Sequence, residues 1–225
     1  MKRIFNAVGA LAGLALSASA FSGPIALYPT GPSQDSAYLR FVNALDTPLE
    51  LTPEGASSSL KLEKGQVVSG FIPVSGGRPI RGTLSRDGKS VPVDVKVNAG
   101  DFATVFALAD EQQGIRQVVV SEAFDIPNQL KASLAFFDAD PACTDARINL
   151  AGRDVDLFQK APAGNPRRQE LNPRASLAVQ LVCAGSPVGS VVELGALEAN
   201  KRYSLLLLPS SSGPRLITAT DSLSN

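Results

Sequence analysis

Apolar side chains in this chain tend to recur at every second residue. Val91, Val93, Val95 and Val97 alternate with Pro92, Asp94 and Lys96, so an extended backbone carries four valines on one face and polar groups on the other. Further strand-type runs cover Gln66–Val74, Asp101–Leu108, Ile115–Ser121, Ser133–Phe137, Arg147–Leu150, Ser176–Cys183, Tyr203–Leu208 and Arg215–Thr220, with Gly, Pro, Asn and Asp between them. That spacing suits a sandwich of short strands. The best helical segment, Pro127–Lys131, is too short to stand except as a turn between domains. The chain is expected to be all-β.

An internal repeat sets the number of domains. Ala37–Ala44 (AYLRFVNA) resembles Ala132–Ala139 (ASLAFFDA), about 95 residues later, and each half closes on a strand, a short turn and a second strand. In this alignment Phe102 corresponds to Tyr203. Two tandem antiparallel β-sandwich domains of roughly 100 residues each fit the length. The expected division is a signal peptide over 1–20, a Pro-rich extended arm over 21–36, a first sandwich over 37–126 and a second over 127–225.

Residues 1–20 read as an export signal. Met1, Lys2 and Arg3 form a positive start, Ile4–Leu16 is apolar, and Ala18, Ser19 and Ala20 supply the small residues of a cleavage site after Ala20. The apolar run falls short of the ~20 residues that span a bilayer. The arm that follows carries Pro24, Pro29 and Pro32, which disfavour regular structure, together with the apolar residues Ile25, Leu27 and Tyr28. In an exported chain the two cysteines, Cys143 and Cys183, are expected to form a structural disulfide.

The chain contains no histidine. A Ser-His-Asp or Cys-His apparatus and a histidine-ligated metal are thereby excluded. With 21 Lys and Arg against 21 Asp and Glu, there is no excess of positive charge to draw a polynucleotide. No Gly-X-Ser-X-Gly elbow or phosphate-binding loop is present. Asp154 with Asp156, and Asp138 with Asp140, are local carboxylate pairs, and Asp138, Asp140 and Asp145 lack the spacing of a calcium loop. No cofactor, metal site or catalytic residue is expected. The most basic local cluster is Arg167, Arg168 and Arg174, whose forked guanidinium groups suit the carboxylates of an acidic polysaccharide. A secreted polysaccharide-binding sandwich module is therefore the alternative to a purely protein-binding role.

Ala26, Leu27, Tyr28 and Pro29, a spacer of Pro, Gly and Ser, and then Ser36–Ala44 (SAYLRFVNA) resemble the start of the mature chain in the alginate O-acetylation accessory protein (AlgF) family of Gram-negative bacteria. Beyond that segment the likeness is one of plan: an export signal, an arm and two β domains. The resemblance implies a periplasmic, non-catalytic adaptor needed to place O-acetyl groups on alginate. Its implied partners are a membrane-bound O-acyltransferase and periplasmic SGNH-type acetyltransfer proteins. Leu27, Tyr28 and Arg40 carry the resemblance and are, with the arginine cluster, the candidate partner or polysaccharide contacts.

Overall fold

The computed structural model describes residues 36–63, 66–112, 114–126, 128–161 and 166–224. The segment expected to be a signal peptide and the expected arm up to residue 35, with Leu27 and Tyr28, lie outside them, whereas Ser36, given to the arm, begins the first strand. The described residues form sixteen strands and no helix. They make two β-sandwiches of two four-stranded sheets each.

In the first sandwich one sheet has the order β4–β1–β7–β8, from Ile72–Ser75, Ser36–Asn43, Phe102–Asp110 and Gly114–Glu122. The other has the order β3–β2–β5–β6, from Leu60–Leu62, Leu49–Pro53, Pro79–Arg86 and Lys89–Lys96. The second sandwich repeats this plan. Its sheets run β12–β9–β15–β16 (Arg167–Leu171, Ala132–Asp138, Arg202–Leu208, Arg215–Thr220) and β11–β10–β13–β14 (Asp156–Phe158, Arg147–Leu150, Arg174–Cys183, Ser186–Leu197). Adding eight to every strand number of the first sandwich reproduces the second, so the internal repeat is a duplication of topology.

The sheets are not wholly antiparallel. β1 pairs with β7 in parallel, as β9 does with β15, because a whole outer sheet lies in the connection between them and gives the chain room to return to the same end. Register also corrects the alignment of the halves. Tyr38 lies opposite Phe102, and Ser133 opposite Arg202, so the counterpart of Phe102 is Arg202, one residue before Tyr203. Tyr203 belongs to the core of the second sandwich, where its hydroxyl accepts the Glu198 N–H at 3.0 Å. Matching aromatic to aromatic had paired residues that face opposite sides of their sheets.

Burial follows layer position. β6 keeps the alternation seen in the sequence, with Val91, Val93 and Val95 buried and their neighbours exposed. β9 and β15 are buried almost throughout, as strands covered on both faces must be. The cover comes from the other sandwich: the sheets built on β1 and β9 meet face to face. Between them lies a third apolar cluster that includes Val42, Phe106, Leu108, Phe137, Leu206 and Leu208.

The hairpins β5–β6 and β13–β14 turn at equivalent places through Asp87–Gly88 and Ala184–Gly185. Both residues of each pair have positive φ: 48° and 75°, then 49° and 79°. That is the conformation of a type I′ turn, one of the two turns favoured in two-residue hairpin loops. Ala184 is held in it by an N–H bond of 2.7 Å to the Thr144 carbonyl. Beside it, Cys183 is bonded to Cys143, with a Cα separation of 5.1 Å. The bridge fastens the loop after β9 to the end of β13 and suits a chain folded in an oxidising, extracytoplasmic compartment. It closes a loop of sequence separation 40. Replacing both cysteines by alanine is expected to lower the unfolding free energy by about 4 kcal/mol, measured by urea denaturation against the oxidised parent.

Candidate functional site

The buried polar groups of the molecule concentrate at one end of the seam between the sandwiches. Along β1, Leu39 and Phe41 enter the first core, so Tyr38, Arg40 and Val42 face the second domain. β7 presents Phe102, Thr104 and Phe106 on the same side. Across from them stand Ser133, Ala135 and Phe137 of β9 and Arg202, Ser204 and Leu206 of β15.

Arg40 is 1% exposed and fully engaged. Its Nε donates to Thr104 Oγ1 at 2.9 Å, Nη1 to Asp221 Oδ1 at 2.7 Å and Nη2 to Ser204 Oγ at 2.9 Å. Its guanidinium carbon lies 4.6 Å from the Phe71 ring centre and 5.0 Å from that of Phe137, so an aromatic ring from each domain contributes cation–π attraction. Ser204 also donates to Asp221 Oδ1 at 2.6 Å. Arg168 bonds Glu122 through two nitrogens, Asp221 Oδ2 at 3.1 Å and Ser133 Oγ at 3.1 Å. Arg202 donates to Glu122 Oε1 at 2.9 Å and lies 4.9 Å over the Phe102 ring. The Arg40–Asp221, Arg168–Glu122 and Arg202–Glu122 pairs each join one domain to the other.

The C-terminal segment reinforces this end. Phe71 N–H donates to the Ser222 carbonyl and Ser224 N–H to the Phe71 carbonyl, both at 2.8 Å. The last residues of the second domain thereby pair beside β4 of the first. Gly70 permits the approach, since a Cβ there would stand 2.6 Å from Ser224 Oγ.

Burial alone raises the Asp221 carboxyl, but the charges of Arg40 and Arg168 and the Ser204 hydroxyl outweigh it and hold the group below the usual aspartate range. Asp221 therefore stabilises the fold fully above its ordinary, unfolded value, and that stabilisation is lost as pH falls through the lowered folded one. Burial lowers Arg40, with Asp221 opposing. Arg40→Ala leaves Asp221 without its nearest cation and is expected to cost about 3–5 kcal/mol. Arg40→Lys restores the charge without the fork of donors and is expected to recover only part of that loss in the same denaturant titration.

The opposite end of the seam opens into a cleft. Two adjoining cavities of about 340 and 440 Å³ share Arg116, Asp140 and Pro141. One wall is β8 with the hairpin residue Arg86; the other is the disulfide-anchored loop 139–145 with Lys160 and the turn at Ser210 and Ser211. Asp138 Oδ1 accepts the Asp140 N–H at 3.1 Å, and Asp140 Oδ1 accepts the Ala142 N–H at 3.0 Å. Among the described residues the guanidinium of Arg116 and the ammonium of Lys160 have no hydrogen bond or ion pair. Burial raises the Asp138 carboxyl to about 6, with the Asp140 N–H opposing, the Asp140 charge adding and the Lys160 charge countering. A raised carboxyl favours the fold at low pH and withdraws that support as pH climbs from its unfolded value of 3.8 to about 6. Asp138→Asn keeps the Oδ1 acceptor and is expected to flatten this part of the melting-temperature profile between those two values.

Of the described candidate contacts, Arg40 and Arg168 are brought together on Asp221, and Arg167 and Arg174 are not. Arg40 is sealed in the seam and Arg168 faces into it, while Arg167, its neighbour on β12, is exposed. Arg174 is exposed at the start of β13, in the other sheet of that domain. Arg167 donates to the Lys160 carbonyl at 3.4 Å and Arg174 to the Asn172 carbonyl at 3.3 Å. Among the described residues no group of three or more acidic or sulfur ligands is placed to hold a metal. Glu122, Arg202 and Asp221 escaped the sequence reading. Their signal is positional: Glu122 and Asp221 stand at equivalent ends of β8 and β16, opposite Phe102 and Arg202.

No protein-family model matches the chain, and no curated protein does. Among solved structures it is similar to a candidate cell adhesion protein from Bacteroides uniformis, with TM-score 0.29 and 8% identity over 84% of this chain and 99% of the other. A candidate cell adhesion protein from Bacteroides ovatus gives TM-score 0.29 and 10% identity over 85% and 98%. A fimbrial assembly protein from Parabacteroides distasonis gives 0.24 and 10% over 83% and 96%. At these scores the likeness carries no inference about role.

Proposed function

We propose that this chain is a non-catalytic periplasmic adaptor of alginate O-acetylation, exported by a signal peptide cleaved after Ala20. The observation that carries the reading is the use made of its charged groups: Arg40 with Asp221, and Glu122 with Arg168 and Arg202, form pairs that fix one sandwich against the other. A scaffold needs such a fixed relation between two binding modules. The outer sheets end in the strands β3, β6, β11 and β14, and strand edges of this kind accept extended segments from other proteins. The absence of histidine agrees with an accessory place beside SGNH-type enzymes, whose chemistry needs that imidazole. The resemblance of Ala26–Pro29 and Ser36–Ala44 to the AlgF family supplies the particular machinery and its partners.

Deletion of the gene in an alginate-producing host is expected to abolish O-acetyl esters on the polymer while polymer export continues, measured as acetyl content per uronate. Unchanged acetylation would overturn the reading. Co-purification of the tagged chain is expected to retain the SGNH-type proteins or the membrane-bound O-acyltransferase.

A further inference from the structure

We infer that the Pro-rich arm docks on its own chain, with Leu27, Tyr28 and Pro29 covering an aromatic row that the first domain leaves partly open at the ionic end of the seam. On the seam face of the first sheet, Pro73, Tyr38 and Phe102 stand side by side on β4, β1 and β7. The Tyr38 and Phe102 rings stack with centres 4.9 Å apart, and Phe124, just past β8, continues the stack at 6.3 Å from Phe102. Leu223 flanks the row from the C-terminal segment, paired with Phe71, whose ring meets Phe102 edge-on at 5.0 Å. Phe124 and Leu223 are 52% and 55% exposed. The connector from the end of β8 to the start of β9 adds Ile126 and Leu130, both exposed. Four of the seven large apolar side chains exposed among the described residues are thus gathered at one end of the molecule, although a folded chain normally keeps such surface small and scattered.

The occupant follows from where the chain enters. Ser36 begins β1 opposite Ser75, two residues before Tyr38 and on the same face, so the arm reaches the fold at the rim of the row. Residues 30–35 between Pro29 and this point span at most about 20 Å when extended, which exceeds the spread of the three rings. A segment with Pro24, Pro29 and Pro32 favours the polyproline II form, which has no internal hydrogen bonds to give up. Aromatic-lined surfaces are what such segments dock on. Its carbonyls need donors. Among the described residues the Tyr38 hydroxyl and Arg202 Nη1 make no hydrogen bond, and the Arg202 guanidinium lies over Phe102. The tether raises the local concentration of the arm to the millimolar range, so contacts too weak to hold a separate peptide keep this one in place. The arm of a second copy competes at far lower concentration.

The chain contains no tryptophan, so Tyr28→Trp gives a single indole that reports on the arm in the full exported chain. Acrylamide is expected to quench it well below the level of the same indole in a free peptide of residues 24–33. Nuclear Overhauser contacts are expected between the arm and the rings of Tyr38 and Phe124. Leu27→Ser is expected to move the ratio of docked to free arm about tenfold toward the free form, as withdrawal of one covered leucine side chain implies. Phe124→Ala is expected to raise quenching likewise. Should Phe124→Ala lower the melting temperature, Leu27→Ser still reads the docking without touching either sandwich. Quenching equal to that of the free peptide, or shielding that neither substitution reduces, would overturn the inference. So would shielding that grows with protein concentration alongside a doubled mass, which places the arm on a second copy. An indole exposed in the isolated chain and shielded only with a co-purifying protein bound would give the surface to that protein and overturn it too. All of these measurements are made on the chain itself, so their outcome is independent of the acetylation reading.

Discussion

The arrangement of the molecule depends on the ion pair between Arg40 and Asp221. A guanidinium removed from water carries a desolvation penalty of several kcal/mol, offset only when its donors are met in good geometry. Arg40 meets that condition by drawing its partners from both domains: Thr104 and Phe71 from its own, Ser204, Asp221 and Phe137 from the other. Neither sandwich alone could bury this side chain without loss. Its burial therefore links the folding of each domain to the docking of the two, and the apolar cluster around Phe106, Phe137 and Leu206 adds area to an arrangement that the polar groups make specific.

Duplication explains the geometry of the seam, and divergence explains its strength. Equivalent sheets face each other, so equivalent positions approach: Phe102 lies beneath Arg202, its own counterpart. A symmetric pair of like charges at such positions would repel. The two copies have diverged into complements instead. Arg40 answers to Ala135 in the repeat, and Phe71 to Arg168, since Arg168 lies opposite Ala135 as Phe71 lies beside Arg40. Glu122 and Asp221 retain a negative charge at matching sites, as Thr104 and Ser204 retain a hydroxyl, and each carboxylate is met by arginines supplied by these substitutions.

In sequence terms the sheets that meet at the seam were the more legible, with only β12 of their eight strands unread, and among the outer strands β6 was the clearest. Val91, Val93 and Val95 have one wet and one dry face, and period two reports that directly. β10 and β16 were read with the bounds they have in the structure, Arg147–Leu150 and Arg215–Thr220. β2, β3, β5, β11 and β12 were not found. In β5, Leu84 alone is fully buried among Arg, Gly, Thr and Ser, so its place comes from pairing with β2 and β6 and not from its own pattern. The seam left a different trace. Leu205–Leu208 is a run without alternation, which marks a strand covered on both faces, and Arg40 is a charge inside an otherwise apolar strand. Those two anomalies together imply a second layer over β1. The partners of Arg40 did not follow, because Asp221 is 181 residues away and no local spacing links them.

The same constraint distributes freedom across the fold. Strands at the seam are bound to their partners on three sides, and a change at Phe137 or Ser204 is felt in both domains. The outer sheets have no such duty, and there the two copies differ most. β14 runs for 12 residues where its counterpart β6 has 8, and the disulfide occurs in the second copy alone. The cleft lies where these regimes meet. Its floor, at Leu108 and Ala44, is the end of the conserved-geometry seam, whereas its walls are loops and hairpin ends free to vary without disturbing the docking. The walls of the cleft thus take a fixed spacing from the ionic pairs at the far end of the seam.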